Sequence, residues 1–458
     1  MKVKSCLFKP VFLISFILLA NGSFNSSFLK NCNMNNHLDY NPQLKSSNSN
    51  NWSLVWDFYQ SIGEHIITDK SNNIYIAGRT FNVSNDKSQI VNVKFNKFGS
   101  EQWNECWGFN NQCSIKEFAI DSESNIYNLV SIQSFPNTKN ILMKIDSSGF
   151  SEWNKTIEGT IECVHLDKYD NIYISRYIWD WTYDIEYIYL NKFDQNGKSL
   201  WNNTFRNKDF FSLIAYPLAI MVDNFNQTYI AGLINSNGFP NDPVEYRFGS
   251  YIPAPYVYIS IYNTSGVLTS LHKWRIYDYY VTSDIILDSS YNIYLMGIDK
   301  SINKNILLKY DFYGNLLFSS DWHRNAIEET YEFWQDIAQD PLNHTYCAGV
   351  NYWDRKNYYE IYLVKFDDQG NIEWDGAYVV QNTYCGDLHI DSNFNIYLTG
   401  SDNGKMLILK NPILIEITDP VDTNPVDNNI NLLILICFIV GISGLGIFLF
   451  FKYVRRSP

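Results

Sequence analysis

Short apolar runs separated by turn residues recur along most of the chain. Residues 74–77, Ile-Tyr-Ile-Ala, have the length and the β-branched and aromatic content of a buried strand. Other stretches alternate apolar and polar residues and end at a Gly, as the stretch from Lys94 to Gly99 does, and this is typical of a strand that enters a tight turn. The pattern predicts an all-β domain over residues 51–411.

One phrase occurs seven times in this region: Asp, three variable residues, usually Asn, an apolar residue or Thr, and then Tyr. The Asp residues are Asp69, Asp121, Asp167, Asp223, Asp288, Asp340 and Asp391, and the Tyr residues are Tyr75, Tyr127, Tyr173, Tyr229, Tyr294, Tyr346 and Tyr397. Asp-x-x-x-Asn is turn chemistry, because a short carboxylate or amide can accept hydrogen bonds from turn backbone amides. A residue type that is present in every repeat indicates a structural role.

A second phrase follows each first one: Lys, an apolar residue, Asp or Asn, two residues, Gly, and Trp four residues later. It runs from Lys144 to Trp153 and from Lys192 to Trp201, while the fourth copy is degraded and the seventh stops after Lys410. With the apolar run before each Asp, every unit has four short strands. Four strands per repeat, seven times, predict a seven-bladed β-propeller of four-stranded blades.

The seventh repeat lacks its last strand, and an additional strand precedes the first repeat. This segment, Asn51 to Gln60, contains Trp52 and Trp56. We expect it to complete the last blade, because such a closure joins the two ends of the ring and removes open strand edges.

The two phrases resemble the SBBP repeat, a bacterial-type β-propeller repeat with the core D-x-x-G-N-x-Y-x-x-G and K-x-D-x-x-G. The resemblance covers Asn51 to Lys410, and all seven Asp and all seven Tyr positions match. The chain lacks the Gly that precedes the Asn of the turn, so the turn type stays open. The resemblance implies an exported, surface-associated protein and no fixed activity.

Both ends of the chain have the pattern of targeting segments. Lys2, Lys4 and Lys9 precede a short apolar run, Val11 to Ala20, as in a signal peptide. An uncharged apolar stretch near the C-terminus has the length of a membrane-spanning helix and is followed by basic residues. The predicted segments are a signal peptide (1–23), an Asn/Ser-rich flexible segment (24–50), the propeller (51–411), a linker (412–430), a transmembrane helix (431–451) and a cytoplasmic tail (452–458). The sequence therefore predicts a single-pass cell-membrane protein with an extracellular propeller.

Charge and composition restrict the partners. The net charge is −13, and several of the positive charges lie in the two end segments, so the domain between them is more acidic than the whole chain. Such a field repels phosphate, which argues against nucleic acid and anionic lipid as partners of the propeller.

No metal site, cofactor site or catalytic residue is predicted. Asp167, Asp170 and Asn171 match part of a calcium loop, but the full spacing is absent. The stretch from Gly197 to Trp201 resembles the blade-docking motif of quinoprotein dehydrogenases, which is not their catalytic machinery. A surface binding, adhesion or protein-interaction module is favoured, with an extracellular protein or glycan as ligand; an extracellular propeller enzyme, either a glycan-cleaving hydrolase or a quinoprotein-like oxidoreductase, is the alternative.

Export also suggests covalent modifications. Cys106 and Cys113 are close enough in sequence to form a disulfide. Asn82, Asn226 and Asn343 begin Asn-x-Ser/Thr sequons and are candidate glycosylation sites.

The ligand is expected to bind where loop length varies. The connections between the second and third strands vary in length and contain aromatic residues, which make good anchors on a rigid scaffold. The candidate ligand-binding residues are Trp179, Trp181, Tyr183, Tyr251, Tyr256 and Trp353. The alternative is that these aromatic side chains pack on each other.

Overall fold

The chain folds into β-strands throughout the part that its computed structural model describes. That part comprises residues 43–48, 51–56, 60–82, 87–108, 112–133, 138–180, 185–205, 214–235, 256–276, 279–299, 304–323, 330–353, 358–380 and 384–412. Within these ranges no helix is long and apolar enough to cross a membrane. The predicted signal peptide and membrane helix lie outside them. All described residues belong to one compact unit, which ends at Glu416.

Seven antiparallel sheets follow one another along the chain. Two strands come first, β1 (Gln43–Asn48) and β2 (Asn51–Trp56). Blade one is β3 (Gln60–Thr68), β4 (Ile74–Asn82), β5 (Lys87–Phe95) and β6 (Glu101–Gly108). Blade two is β7 (Cys113–Ile120), β8 (Ile126–Ile132), β9 (Lys139–Ile145) and β10 (Ser151–Ile157). Blade three is β11 (Thr160–Leu166), β12 (Ile172–Asp180), β13 (Ile185–Phe193) and β14 (Ser199–Phe205).

The remaining blades repeat this arrangement. Blade four is β15 (Ile214–Val222), β16 (Thr228–Asn235), β17 (Tyr256–Tyr262) and β18 (Leu268–Arg275). Blade five is β19 (Tyr279–Leu287), β20 (Ile293–Asp299), β21 (Lys304–Tyr310) and β22 (Leu316–Trp322). Blade six is β23 (Thr330–Gln339), β24 (Thr345–Trp353), β25 (Tyr358–Phe366) and β26 (Ile372–Val380). Blade seven starts with β27 (Tyr384–Ile390), β28 (Ile396–Asp402) and β29 (Lys405–Lys410).

The first strands of the blades form a closed inner ring. β3 packs against β7, β7 against β11, and so on through β15, β19, β23 and β27, which returns to β3. Within each blade, strands adjacent in sequence pair as a meander. The prediction of a seven-bladed propeller with four-stranded blades is confirmed.

The ring closes as the sequence predicts, with two corrections. β2 pairs with β29 as the fourth strand of blade seven, and Trp52 lies opposite Lys410 as Trp103 lies opposite Lys94 in blade one. The closing strand ends at Trp56, because Gln60 already begins the inner strand of blade one. The segment 24–50 is not flexible throughout, since β1 pairs with β2 and gives blade seven a fifth strand.

The two kinds of repeated turn share one backbone geometry. We call the Asp-x-x-x-Asn turns between first and second strands the first turns, and the turns before the Trp strands the second turns. In both, the amide of the fourth residue donates to the carbonyl of the first, and the fourth residue has positive φ. This is a type I turn followed by a left-handed residue, a common hairpin closure. In the second turns the fourth residue is Gly99, Gly149, Gly197, Gly266, Gly314 or Gly370.

The left-handed position of the first turns resolves the open turn type. Its φ lies between 59° and 67° at Asn72, Ser124, Asp170, Asn226, Tyr291, Asn343 and Phe394. Gly adopts this conformation without steric cost, and Asn and Asp tolerate it better than other residues. The position is the one that Gly occupies in the SBBP pattern, so the missing Gly changes the side chain and not the turn.

Neighbouring blades are held together at their outer strands by Trp–Gly contacts. Gly149 of blade two lies on the indole ring of Trp103 of blade one, and Gly99 of blade one lies in the same way on Trp52 of blade seven. An added Cβ would come within 3.0 to 3.3 Å of these rings. Trp52 therefore has the same position in blade seven that Trp103 has in blade one.

Candidate functional site

The recurrent Asp, Tyr, Lys and Trp residues contact one another inside a blade, as blade two shows. In blade two, Asp121 Oδ1 accepts the amides of the third and fifth turn residues, while Oδ2 accepts Asn125 Nδ2 and the Tyr127 hydroxyl. Lys144 Nζ lies 5.8 Å from the centroid of the Tyr127 ring, and Trp153 packs edge-on against it. These contacts hold the turn and the inner strands together.

The Tyr-to-Asp hydrogen bond is present in every blade. The pairs are Tyr75–Asp69, Tyr127–Asp121, Tyr173–Asp167, Tyr229–Asp223, Tyr294–Asp288, Tyr346–Asp340 and Tyr397–Asp391. Burial, and then the adjacent carboxylate, raises the pKa of Tyr75, Tyr127 and Tyr173. The phenols therefore remain protonated and act as donors at neutral pH.

The residues that match part of a calcium loop are engaged by protein donors. Asp167 accepts the Asn171 side-chain amide and lies 3.3 Å from Lys192 Nζ. Burial acts to raise the pKa of the Asp167 carboxyl, but these hydrogen bonds outweigh burial and lower it. Asp170 accepts the backbone amide and the hydroxyl of Ser122, which lies in the first turn of blade two. The arrangement links two neighbouring turns.

The inner strands bring a cluster of charged residues to the wall of the ring. Every inner strand has a register shift near its middle, which marks a β-bulge. Near the bulges of blades six, seven and one lie Asp336, Asp387 and Glu64. We call these three the inner-ring carboxylates.

Each inner-ring carboxylate accepts a backbone amide of the next blade. Asp336 accepts Leu388 N–H of blade seven, and Asp387 Oδ2 accepts Ile66 N–H of blade one at 2.7 Å. Glu64 Oε2 accepts Ile115 N–H of blade two at 3.1 Å. The three carboxylates therefore connect four successive blades across the junction where the ring closes.

Two further charged or polar groups complete this cluster. Arg79 Nε lies 2.6 Å from Glu64 Oε1, so the Glu64 carboxylate has both an ion-pair partner and a backbone donor. His65 Nδ1 lies 3.9 Å from Asp387 Oδ2, but burial lowers the pKa of His65. The backbones also approach closely here, because a Cβ on Gly386 would lie 2.2 Å from the Gly63 carbonyl oxygen.

Asp387→Ala is expected to destabilise the ring by about 1–3 kcal/mol, because it leaves the Ile66 amide without its acceptor. Asp387→Asn retains an acceptor oxygen and is expected to lose less. Chemical denaturation of the two variants measures the difference. If Ala and Asn cost the same, the charge and not the hydrogen bond stabilises the junction, and the acceptor role is wrong.

The predicted disulfide is not formed. Cys106 lies on β6, the outermost strand of blade one, while Cys113 begins the innermost strand of blade two. Cys113 Sγ lies 3.3 Å from Ser88 Oγ instead, and burial raises the pKa of the Cys113 thiol to about 11. The two cysteines are close in sequence but belong to different blades, because the link from the outermost strand of blade one to the innermost strand of blade two lies between them.

The candidate ligand-binding residues lie at the ends of second and third strands or outside the described ranges. Trp179 is next to last in β12, and Trp353 is the last residue of β24. Tyr256 was expected in a loop, but it begins β17 and packs, half-buried, on the core between blades three and four. Trp181, Tyr183 and Tyr251 lie outside the described residues. The ligand-binding role of these six residues stays a prediction.

The candidate glycosylation sites occupy two settings. Asn226 and Asn343 are the left-handed residues of first turns, and Asn82 ends β4. Their glycosylation stays a prediction.

The two faces of the ring differ in the length of the segments that connect the strands. All first turns and all second turns span five residues and lie on one face of the ring, which we call the turn face. The opposite face, the connection face, carries the second-to-third strand connections. These range from residues 403–404 in blade seven to residues 236–255 in blade four.

The turn face carries exposed apolar side chains, a feature that the sequence analysis did not predict. The exposed large apolar residues there are Phe98, Phe150, Tyr169, Leu200, Phe225, Val267, Tyr313, Leu316, Leu317, Leu342, Ile372 and Phe394. All lie in a first or second turn or at the start of the strand that follows. A sequence signal existed: Tyr169, Phe225 and Leu342 occupy the third turn position, where small polar residues are usual.

The chain is similar to several solved structures at 10 to 11% sequence identity. No family model and no curated protein matches the chain. Among solved structures it is similar to the β-propeller domain of the Trilobed protease from Pyrococcus furiosus, with 10% identity, a TM-score of 0.45, and coverage of 81% of this chain and 99% of that one. It is also similar to polysaccharide lyase Uly1, with 11% identity, a TM-score of 0.45, and coverage of 78% and 90%. A protein of unknown function from Bacteroides caccae has 10% identity, a TM-score of 0.35, and coverage of 62% and 94%.

Proposed function

We propose that this chain is a membrane-anchored extracellular binding module of the SBBP-repeat type, which presents its ligand face on the connections of blades three and four. The observation that carries the proposal is the difference between the two faces. Five-residue turns of one geometry make up the turn face, whereas the connection face has segments of very different length. Variable loops on a rigid scaffold are where binding residues concentrate.

The scaffold is suited to this role because hydrogen bonds hold its strands both within each blade and, at the ring closure, between neighbouring blades. The Asp and Tyr pairs fix each turn within its blade, and the inner-ring carboxylates bind the amides of the next blade. The longest connection, 236–255, contains Tyr246 and Tyr251, and Trp181 and Tyr183 lie in the connection of blade three. Rigid aromatic side chains bind with a small loss of conformational entropy.

Membership of the SBBP-repeat type has support from the turns. The pattern places Gly at the fourth position of the Asp turn, and that position has positive φ in all seven first turns here. The anchor has support from the uncharged apolar stretch 432–451 and from Lys452, Arg455 and Arg456 after it.

The test is ligand capture with a soluble fragment that ends at Glu416, where the compact unit ends. Once an extracellular glycan or protein is captured, Trp179→Ala with Trp181→Ala is expected to weaken binding by about 2 kcal/mol or more, as for central aromatic anchors. Phe98→Ala with Phe150→Ala is the matched control, because it removes two exposed aromatic rings from the turn face. Equal losses in the two double variants would contradict the assigned ligand face.

An extracellular glycan-cleaving enzyme is the second candidate. It is favoured by the inner-ring carboxylates and Arg79, which lie on the inner strands or next to them. Each of these carboxylates already accepts a backbone amide of the next blade. Because the hydrogen bonds give the carboxylates a structural role, we place the enzyme second. Hydrolysis of a glycan panel by the same fragment would reverse the order.

A further inference from the structure

Among the described residues, the most exposed large apolar side chains lie in the turns of the turn face. The exposed fraction is 78% for Phe225, 75% for Tyr313, 65% for Phe150 and 63% for Tyr169. Single exposed apolar residues are ordinary on protein surfaces, but a concentration on one face marks an interaction surface. These positions normally favour polar turn residues, so turn geometry does not account for the aromatic rings.

The chain also leaves the propeller on the turn face. β29 runs toward this face and ends at Lys410, whose Nζ donates to the carbonyl of Lys97 in the second turn of blade one. The Asn411 backbone amide then donates to the Ile396 carbonyl, and Asn411 Oδ1 accepts the Ile396 amide. The Asn411 side-chain amide donates to Asn395 Oδ1 in the first turn of blade seven. The exit point is therefore fixed at the turn face between blades seven and one.

We propose that the turn face lies against the membrane and that its aromatic tips contact the zwitterionic phospholipid surface. This inference rests on the proposed membrane anchor. Residues 413–431 separate the exit point from the apolar stretch 432–451. A chain of 19 residues spans at most about 65 Å even when fully extended, so the proposed anchor limits the distance between the exit point and the bilayer.

The chemistry of the tips fits a phospholipid headgroup. Lys97 Nζ lies 5.1 Å from the centroid of the Phe98 ring, and Lys168 Nζ lies 5.2 Å from that of the Tyr169 ring. Aromatic rings and nearby Lys side chains are enriched at membrane interfaces, where the ring lies at headgroup level and the ammonium group reaches phosphate. Aromatic faces also bind quaternary ammonium groups such as choline.

Two features favour a zwitterionic bilayer over other occupants. The propeller is acidic, so anionic lipid is repelled. A second copy of the chain would need the turn faces of two rings to meet, and both chains would then have to leave their rings between the two faces, because the exit point lies on this face. The connection face is then free for an extracellular ligand.

The test uses the full chain in phosphatidylcholine vesicles, with the photoreactive residue benzoylphenylalanine in place of Phe225 or Tyr313. The control position is Tyr384, which is 40% exposed and lies at the connection-face end of the inner strand of blade seven. Mass spectrometry after irradiation is expected to find several-fold more lipid adduct at positions 225 and 313 than at 384. Thermal unfolding checks that each variant is folded.

Different failures have different signatures. Extraction of the chain from vesicles by alkaline carbonate contradicts the membrane anchor, and the inference with it. An inserted chain with no lipid adduct at 225 and 313, or with equal adduct at 384, contradicts the inference alone. Crosslinked dimers in place of lipid adducts assign the turn face to a second copy, which also overturns it.

Discussion

Deletion of residues 1–56 is expected to abolish the cooperative unfolding of the propeller. The deletion removes β2, whose Trp52, Leu54, Val55 and Trp56 side chains are all buried. At about 2 kcal/mol for each buried side chain, the loss is about 8 kcal/mol, which is comparable to the whole stability of a typical domain. The deletion also leaves β29 as an open edge and exposes a row of backbone groups.

The matched control is a deletion that ends at residue 50. It removes β1 and retains β2, so the ring stays closed and blade seven keeps four strands. This variant is expected to unfold in one transition close to that of the parent, as measured by circular dichroism during heating. If the 1–56 deletion also unfolds cooperatively at an unchanged temperature, closure by β2 does not stabilise the ring.

The repeat made the fold predictable from the sequence. Each Asp turn specifies its own hairpin through local hydrogen bonds. The fixed distance from Asp to Tyr places a buried Tyr at the second position of the second strand in every blade. Seven copies of a local rule therefore define a ring without knowledge of any long-range contact. The missing strand of the seventh repeat likewise indicated how the ring closes.

The charged cluster at the ring closure was not predictable in the same way. Asp387 and Ile66 are 321 residues apart, and the bulges that expose such amides have no sequence signature in a single chain. Strand β1 was missed because Gln43–Asn48 is polar and resembles a linker. Cys106 and Cys113 were paired on sequence distance, which ignores the change of blade between them.

Burial of two histidines is expected to make the propeller less stable in mild acid. Burial lowers the pKa of His165 and of His389 from 6.5 to about 4, and the adjacent carboxylates Asp167 and Asp391 only partly oppose this shift. His389 also shares a hydrogen bond of 3.0 Å with Thr68 Oγ1.

The sign of the effect follows from which state binds the proton. Well above pH 6.5 both histidines are neutral in the folded and unfolded chain, so they do not change the free energy of unfolding with pH. Between pH 6.5 and about 4 the unfolded chain is protonated and the folded chain is not, so stability falls as the pH falls. At pH 5 the loss is about 2 kcal/mol for each histidine.

Urea denaturation at pH 7.5 and at pH 5.0 measures this loss. His389→Gln cannot take up a proton and is expected to remove about 2 kcal/mol from the difference between the two pH values. Thr68→Val is the control, because it removes the hydroxyl that contacts the His389 ring and leaves the titrating group in place. Thr68→Val is therefore expected to lower stability at both pH values and to retain the pH dependence. An unchanged pH dependence in His389→Gln would show that protonation of this histidine does not destabilise the fold, and the acid sensitivity would then have to come from other groups.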